Sequence, residues 1–138
     1  SYELIKRSKF VMVYNSSIGL EASLLGVPVL CGGRARYTQY PIVLYPENRT
    51  SFSELAEDLI RQENVENPDV FVRNARRFLY YQLFKASLPF DDFLEETPHG
   101  GYVRLKPFPI SKLKQDAPPS IRTVVDGILG QGEFVLDE

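Results

Sequence analysis

The chain has 138 residues, 43% of them hydrophobic, 18 acidic against 16 basic side chains and a formal charge of -2. That is enough apolar material for one domain with a real core, and too balanced a charge for a disordered tail or a nucleic-acid surface. No apolar stretch approaches the roughly 20 residues that span a bilayer.

Residues 2–8 read as the end of a helix. Ser1-Tyr2-Glu3-Leu4 has no initiator methionine and resembles mid-helix sequence more than a signal peptide, so an excised segment is expected. The apolar run 10–14 predicts a strand, 17–25 a short helix and 28–31 a second strand, which the crossover rule makes parallel to the first. Ile18, Leu20, Ala22, Leu24 and Leu25 leave that helix little polar surface, and Gly26 is placed to end it.

The intervening turn, Asn15-Ser16-Ser17, supports two readings. Asn and Ser are preferred N-cap residues, so the turn can simply start the helix. Backbone N–H groups left open where a buried strand meets a helix also favour an anion, and open α/β sheets place ligands at the carboxyl ends of their strands. Glu21, the helix's one charge, either complements the helix dipole or accepts hydrogen bonds from ligand hydroxyls.

Cys31 ends the second strand. A single thiol fits packing in a reducing compartment and cannot form an internal disulfide. Gly32-Gly33 can turn the chain or bring backbone close to a ligand. In the segment after it, Arg34 and Arg36 are candidates for gripping a diphosphate or a sugar carboxylate, and Tyr37 for stacking on a base or sugar; a solvated loop and a packed ring are the ordinary alternatives. The sequons at Asn15 and Asn48 are discounted, since they matter only in a secreted eukaryotic protein.

Residues 42–45 predict a third strand or an extended segment before Pro46. Ser51 or Ser53 then caps a helix over 54–62, and 68–86 carries the longest helical periodicity, with Arg73, Arg76 and Arg77 on one side. Its Phe78, Tyr80, Tyr81 and Phe84 read first as core of this domain, with a face that packs onto another domain as the alternative. After Pro89, the acidic residues Asp91, Asp92, Glu95 and Glu96 read as a solvated amphipathic turn, and His99 as a solvated loop residue. Residues 97–119 are expected as an extended connector, followed by a helix over 121–129 capped by Ser120.

The string Val13-Tyr14-Asn15-Ser16-Ser17-Ile18-Gly19-Leu20-Glu21-Ala22-Ser23-Leu24-Leu25-Gly26-Val27-Pro28-Val29-Leu30, with Gly32-Gly33 and Tyr37, resembles the carboxyl-terminal, donor-binding domain of bacterial capsule polysaccharide biosynthesis glycosyltransferases. The likeness extends upstream to Glu3-Leu4-Ile5 and continues more loosely through Arg73–Tyr80 to Ser87-Leu88-Pro89. It implies an α/β fold, a partial Rossmann-like GT-B carboxyl-terminal domain with a short parallel sheet and several flanking helices. The domain would occupy 1–96, with 97–138 as proline-rich connector and terminal helix. The implied activity is sugar transfer from a nucleotide-sugar donor, with cytidine-linked (CMP) sugars among the candidates, to a growing glycan.

By the same resemblance Ser16 and Ser17 hold the donor phosphate. Asn15, Gly19, Glu21, Arg34 and Tyr37 complete the expected nucleotide-sugar site. The His-Pro element and the catalytic acid or base of such enzymes lie outside these 138 residues, so no catalytic residue is assigned, and neither metal nor cofactor is implied. A cytoplasmic place follows, with peripheral attachment to the inner membrane face open to a full-length protein. A glycerophosphotransferase, a sugar-nucleotide epimerase and a non-catalytic interaction module are the alternatives.

Overall fold

A computed structural model of the chain describes residues 2–114 and 118–136. They belong to two compact units, Ser1–Leu79 and Tyr80–Glu138.

The first unit contains α1 (Tyr2–Lys6), β1 (Val11–Val13), α2 (Ile18–Leu24), β2 (Val29–Cys31), α3 (Arg49–Arg61) and most of α4 (Asp69–Tyr81). β1 and β2 pair in parallel, Val11 opposite Val29 and Val13 opposite Cys31, as the strand–helix–strand order predicts. Of the expected third strand only one parallel bridge forms, Leu30 to Leu44. The Cys31 N–H donates to the Leu44 carbonyl at 2.9 Å and the Leu44 N–H to that of Val29 at 2.8 Å. β2 is therefore flanked on both edges, and all three of its residues are buried, which is why it reads as an unbroken apolar run.

Strand alternation sends Val29 and Cys31 to one face and Leu30 to the other. On the first face they join Ile5, Leu20, Ala22, Val27, Tyr37, Ile42 and Ala75 in the principal core. α2 packs on both strands and closes as expected at Gly26, whose φ of +81° suits a residue without Cβ. The Gly26 N–H bonds the Ser23 carbonyl and the Val27 N–H that of Ala22, both at 3.0 Å, satisfying the carbonyls that the helix end leaves open. The buried Ser23 hydroxyl donates to the Ile42 carbonyl at 2.8 Å and so ties α2 to the segment beyond β2.

α3 starts at Arg49 rather than near residue 54, because its N-cap is Asn48 and not Ser51 or Ser53. The Ser51 N–H donates to Asn48 Oδ1 at 3.0 Å and the Asn48 N–H to Ser51 Oγ at 3.3 Å, a reciprocal cap that draws the first turn of helix forward. The Lys9 ammonium donates to the Ile60 carbonyl at 2.8 Å, where a cation suits the carbonyl end of α3. The predicted helix over 68–86 is α4 followed by a π-turn at Gln82–Ala86. Its Phe78 does join the core, 5.8 Å from the Tyr40 ring. Tyr80, Tyr81 and Phe84 are exposed, contrary to the core reading.

In the second unit the expected connector contributes instead to a hairpin, β3 (Leu94–Glu96) antiparallel to β4 (Val103–Leu105). Residues 115–117 of that stretch lie outside the described residues. Glu95 sits opposite Arg104, and their side chains meet at 2.5 Å. Thus two of the four acidic residues expected in a solvated turn, Glu95 and Glu96, are strand residues paired across the ladder. His99 is exposed at the hairpin turn. Phe93 is the buried apolar centre, with Phe108 edge-on at 4.9 Å and the Lys112 ammonium 5.9 Å above its ring. α5 (Pro119–Leu129) is capped by no side chain; the Ser120 hydroxyl donates to the Pro89 carbonyl. No helix among the described residues is long and apolar enough to cross a membrane.

Candidate functional site

The carboxyl ends of β1 and β2 lie side by side, since the Gly32 N–H donates to the Val13 carbonyl at 2.8 Å and the Gly33 N–H to that of Tyr14 at 2.6 Å. Two features meet there, the turn at residues 15–17 and an open cleft.

Asn15, Ser16 and Ser17 are all exposed. The Ser17 backbone is already helical (φ -57°, ψ -25°) and its side chain caps nothing. Ser16 caps instead, its Oγ accepting the Ile18 N–H at 3.3 Å. The Ser16 carbonyl accepts the Gly19 N–H at 3.0 Å and the Tyr37 hydroxyl at 2.5 Å. The turn is thus held by its backbone while the Ser17 hydroxyl faces solvent.

Tyr37 is buried, only 4% exposed. Its ring is a strut under the turn and offers no stacking surface. Burial first, and then the Cys31 thiol, push its phenol well above the ordinary range. Gly19 is occupied in the same way. A Cβ there would stand 2.3 Å from the Tyr37 hydroxyl and 3.0 Å from Val13 Cγ2, so this glycine admits a tyrosine where close approach of a ligand was expected. Glu21 lies half-buried beside the Tyr2 phenol, whose proton affinity it raises. Arg34 is exposed and makes no hydrogen bond to the turn. Of the expected site, Ser16, Gly19 and Tyr37 are brought together; Glu21 and Arg34 make no contact of this kind with them.

Cys31 packs as expected, buried, with its thiol directed at the Tyr14 and Gly33 carbonyls at 3.1 and 3.2 Å. It therefore locks the ends of the two strands.

Sequence reasoning missed the cleft, a cavity of about 530 Å³ whose lining includes Met12, Tyr14, Tyr45, Glu47, Arg49 and Phe52. β1 contributes Met12, the residue just after it is Tyr14, the segment bridged to β2 contributes Tyr45, and the first turn of α3 contributes Arg49 and Phe52. The signal that points to it is Pro46 followed by the N-cap Asn48, which brings the start of α3 up to the strand ends. Both glycines of the Gly32-Gly33 pair serve this cleft. A Cβ on Gly32 would lie 3.1 Å from the Phe52 ring, and one on Gly33 would lie 2.9 Å from the Tyr14 ring.

No group of His, Cys, Asp and Glu among the described residues is arranged to hold a metal ion. No protein-family model matches this chain, and neither the curated proteins nor the solved structures include a match to it.

Proposed function

We propose that this chain is the nucleotide-sugar-binding part of a GT-B-type glycosyltransferase that extends a bacterial surface polysaccharide of the capsule type. The observation that carries the reading is the juxtaposition at the carboxyl ends of a parallel strand–helix–strand unit. An exposed Asn15-Ser16-Ser17 turn adjoins, through Tyr14, a cleft of about 530 Å³. Ligands of open α/β sheets bind in that position, and the volume falls in the range of small-molecule sites. The motif resemblance around Ser16 and Ser17 supplies the substrate class.

In this reading the Ser17 hydroxyl and the open backbone N–H groups of the turn hold the donor phosphate and offset charge that grows on it as it leaves. The acceptor oxygen bonds to the anomeric carbon, the bond from that carbon to the phosphate oxygen breaks, and the acceptor proton passes to a general base. α2 has only seven residues, so the side-chain and turn donors matter more than its dipole. The reaction belongs to the cytoplasmic side, where nucleotide sugars are used.

Ligand-observed NMR of the 138-residue chain against cytidine, uridine and guanosine nucleotides tests this. Binding of one base, lost in the Ser16→Ala/Ser17→Ala protein, is the expected result. A folded chain that binds no nucleotide refutes the reading and favours an interaction module. For that alternative, the exposed Tyr102, Ile110 and Ile128, each about seven-tenths or more exposed, are the supporting observation.

A further inference from the structure

We propose that the cleft at the strand ends receives the nucleoside of the donor, its planar base against the Tyr14 and Tyr45 rings and its ribose hydroxyls donating to the Glu47 carboxylate. This rests on the nucleotide-sugar reading and adds a part of the ligand which the turn at Ser16-Ser17 does not address.

Three observations carry it. First, the cleft presents aromatic surface that the core does not use. Tyr14 is 74% exposed, Tyr45 41% and Met12 50%, around one cavity. Aromatic side chains stack on any base, since every base has a π-face. Second, the rings are seated by design of the backbone. Gly33 makes room for Tyr14 and Gly32 for Phe52, and the Tyr14 carbonyl is held by both the Gly33 N–H and the Cys31 thiol. A Cβ on Gly33 would stand 2.9 Å from the Tyr14 ring and one on Gly32 3.1 Å from the Phe52 ring, so a side chain at either position would disturb the seating of a lining ring.

Third, the lining has one carboxylate, Glu47, and one cation, Arg49. Among the described residues, neither makes an ion pair or a side-chain hydrogen bond. An acid with unused acceptors beside a ring-lined cleft suits a ribose diol, the role that acidic residues fill near nucleotides in α/β sheets. Glu21 does not line this cleft. The acid placed to read the sugar there is on the loop before α3 rather than on α2.

The test is titration of the whole chain with ribonucleosides, ribonucleoside 5′-monophosphates and their 2′-deoxy counterparts, using Tyr45→Ala, Tyr45→Phe, Glu47→Gln and Ser16→Ala/Ser17→Ala proteins. Each variant is first checked for native amide dispersion by NMR. Tyr45→Ala is expected to weaken nucleotide binding by at least about fivefold, the lower end for losing one stacked base, while Tyr45→Phe retains it. The ribose form should bind roughly tenfold better than the deoxy form, as a hydrogen bond to a charged group allows. Glu47→Gln should erase that preference. Unphosphorylated nucleosides should respond to Tyr45 and Glu47 but not to the serine pair.

Nucleotide binding that depends on Ser16-Ser17 and ignores Tyr45 and Glu47 overturns this inference and leaves the nucleotide-sugar reading standing. Binding that depends on Tyr45 and Glu47 and ignores the serines overturns the phosphate assignment of that reading and keeps the cleft. A folded chain that binds neither nucleosides nor nucleotides overturns both.

Discussion

Gly19 and Tyr37 show how a motif residue and a candidate ligand residue can be two halves of one contact. The Tyr37 hydroxyl donates to the Ser16 carbonyl directly over Gly19, so the turn that carries the serines is braced from below. Gly19→Ala is expected to cost about 1–3 kcal/mol, the usual range for forcing a methyl into a packed site. Urea denaturation of the single variant and of Gly19→Ala/Tyr37→Phe measures this. The double variant should cost less than the sum of its parts, because removing the hydroxyl removes the 2.3 Å clash and leaves only the 3.0 Å contacts with Tyr37 Cζ and Val13 Cγ2. A Gly with an ordinary backbone angle carries no local mark of such a partner, so the pairing was not legible in sequence. The serines and their exposure were, since a small polar run between two apolar segments can only be a surface turn.

At the scale of elements, helix ends separate what is local from what is not. The end of α2 was readable because Gly26 follows the last apolar residue, and a left-handed closure needs nothing beyond the helix itself. The start of α3 was misplaced because several residues near it can cap, and Asn48 and Ser51 act together. Asn48→Ala is expected to destabilise the first unit by about 1 kcal/mol, within the 0.5–2 kcal/mol typical of a lost N-cap. Thermal denaturation should show that loss, and Ser53→Ala should not. Ser120 is the converse case. It stands where a cap is expected, but its hydroxyl is taken by the Pro89 carbonyl, 31 positions earlier in the chain. The β3–β4 hairpin escaped notice for a related reason. Each strand has three residues, too few for an alternation to register, and its cross-strand pair Glu95–Arg104 is visible only once the chain has folded back.

For the whole molecule the distribution of burial sets a gradient of stability. The first unit holds the apolar cluster around β2, whereas among the described residues of the second Phe93 and Ser120 are the buried ones, beside exposed Tyr102, Leu105, Ile110 and Ile128. Native-state hydrogen exchange is therefore expected to protect the amides of Cys31, Gly32 and Leu44 most strongly. Those of Thr97, Tyr102 and Lys106 in and around the hairpin should exchange far earlier, since few buried contacts must open to free them. Equal protection in both units would contradict this gradient.

By itself the sequence determined the parallel β1–α2–β2 unit, the burial of β2 and the exposed turn at Asn15–Ser17. Hydrophobic periodicity, chain connectivity and helix closure act over a few residues, so the chain's local order suffices for them. Tertiary structure alone decided that Tyr37 is a buried brace, that Gly32 and Gly33 seat Phe52 and Tyr14, and that Tyr45, Glu47 and Arg49 share a cleft with β1. Those relations join residues tens of positions apart, and only the packing of α3 and the bridged segment against the strand ends brings them within reach of one another.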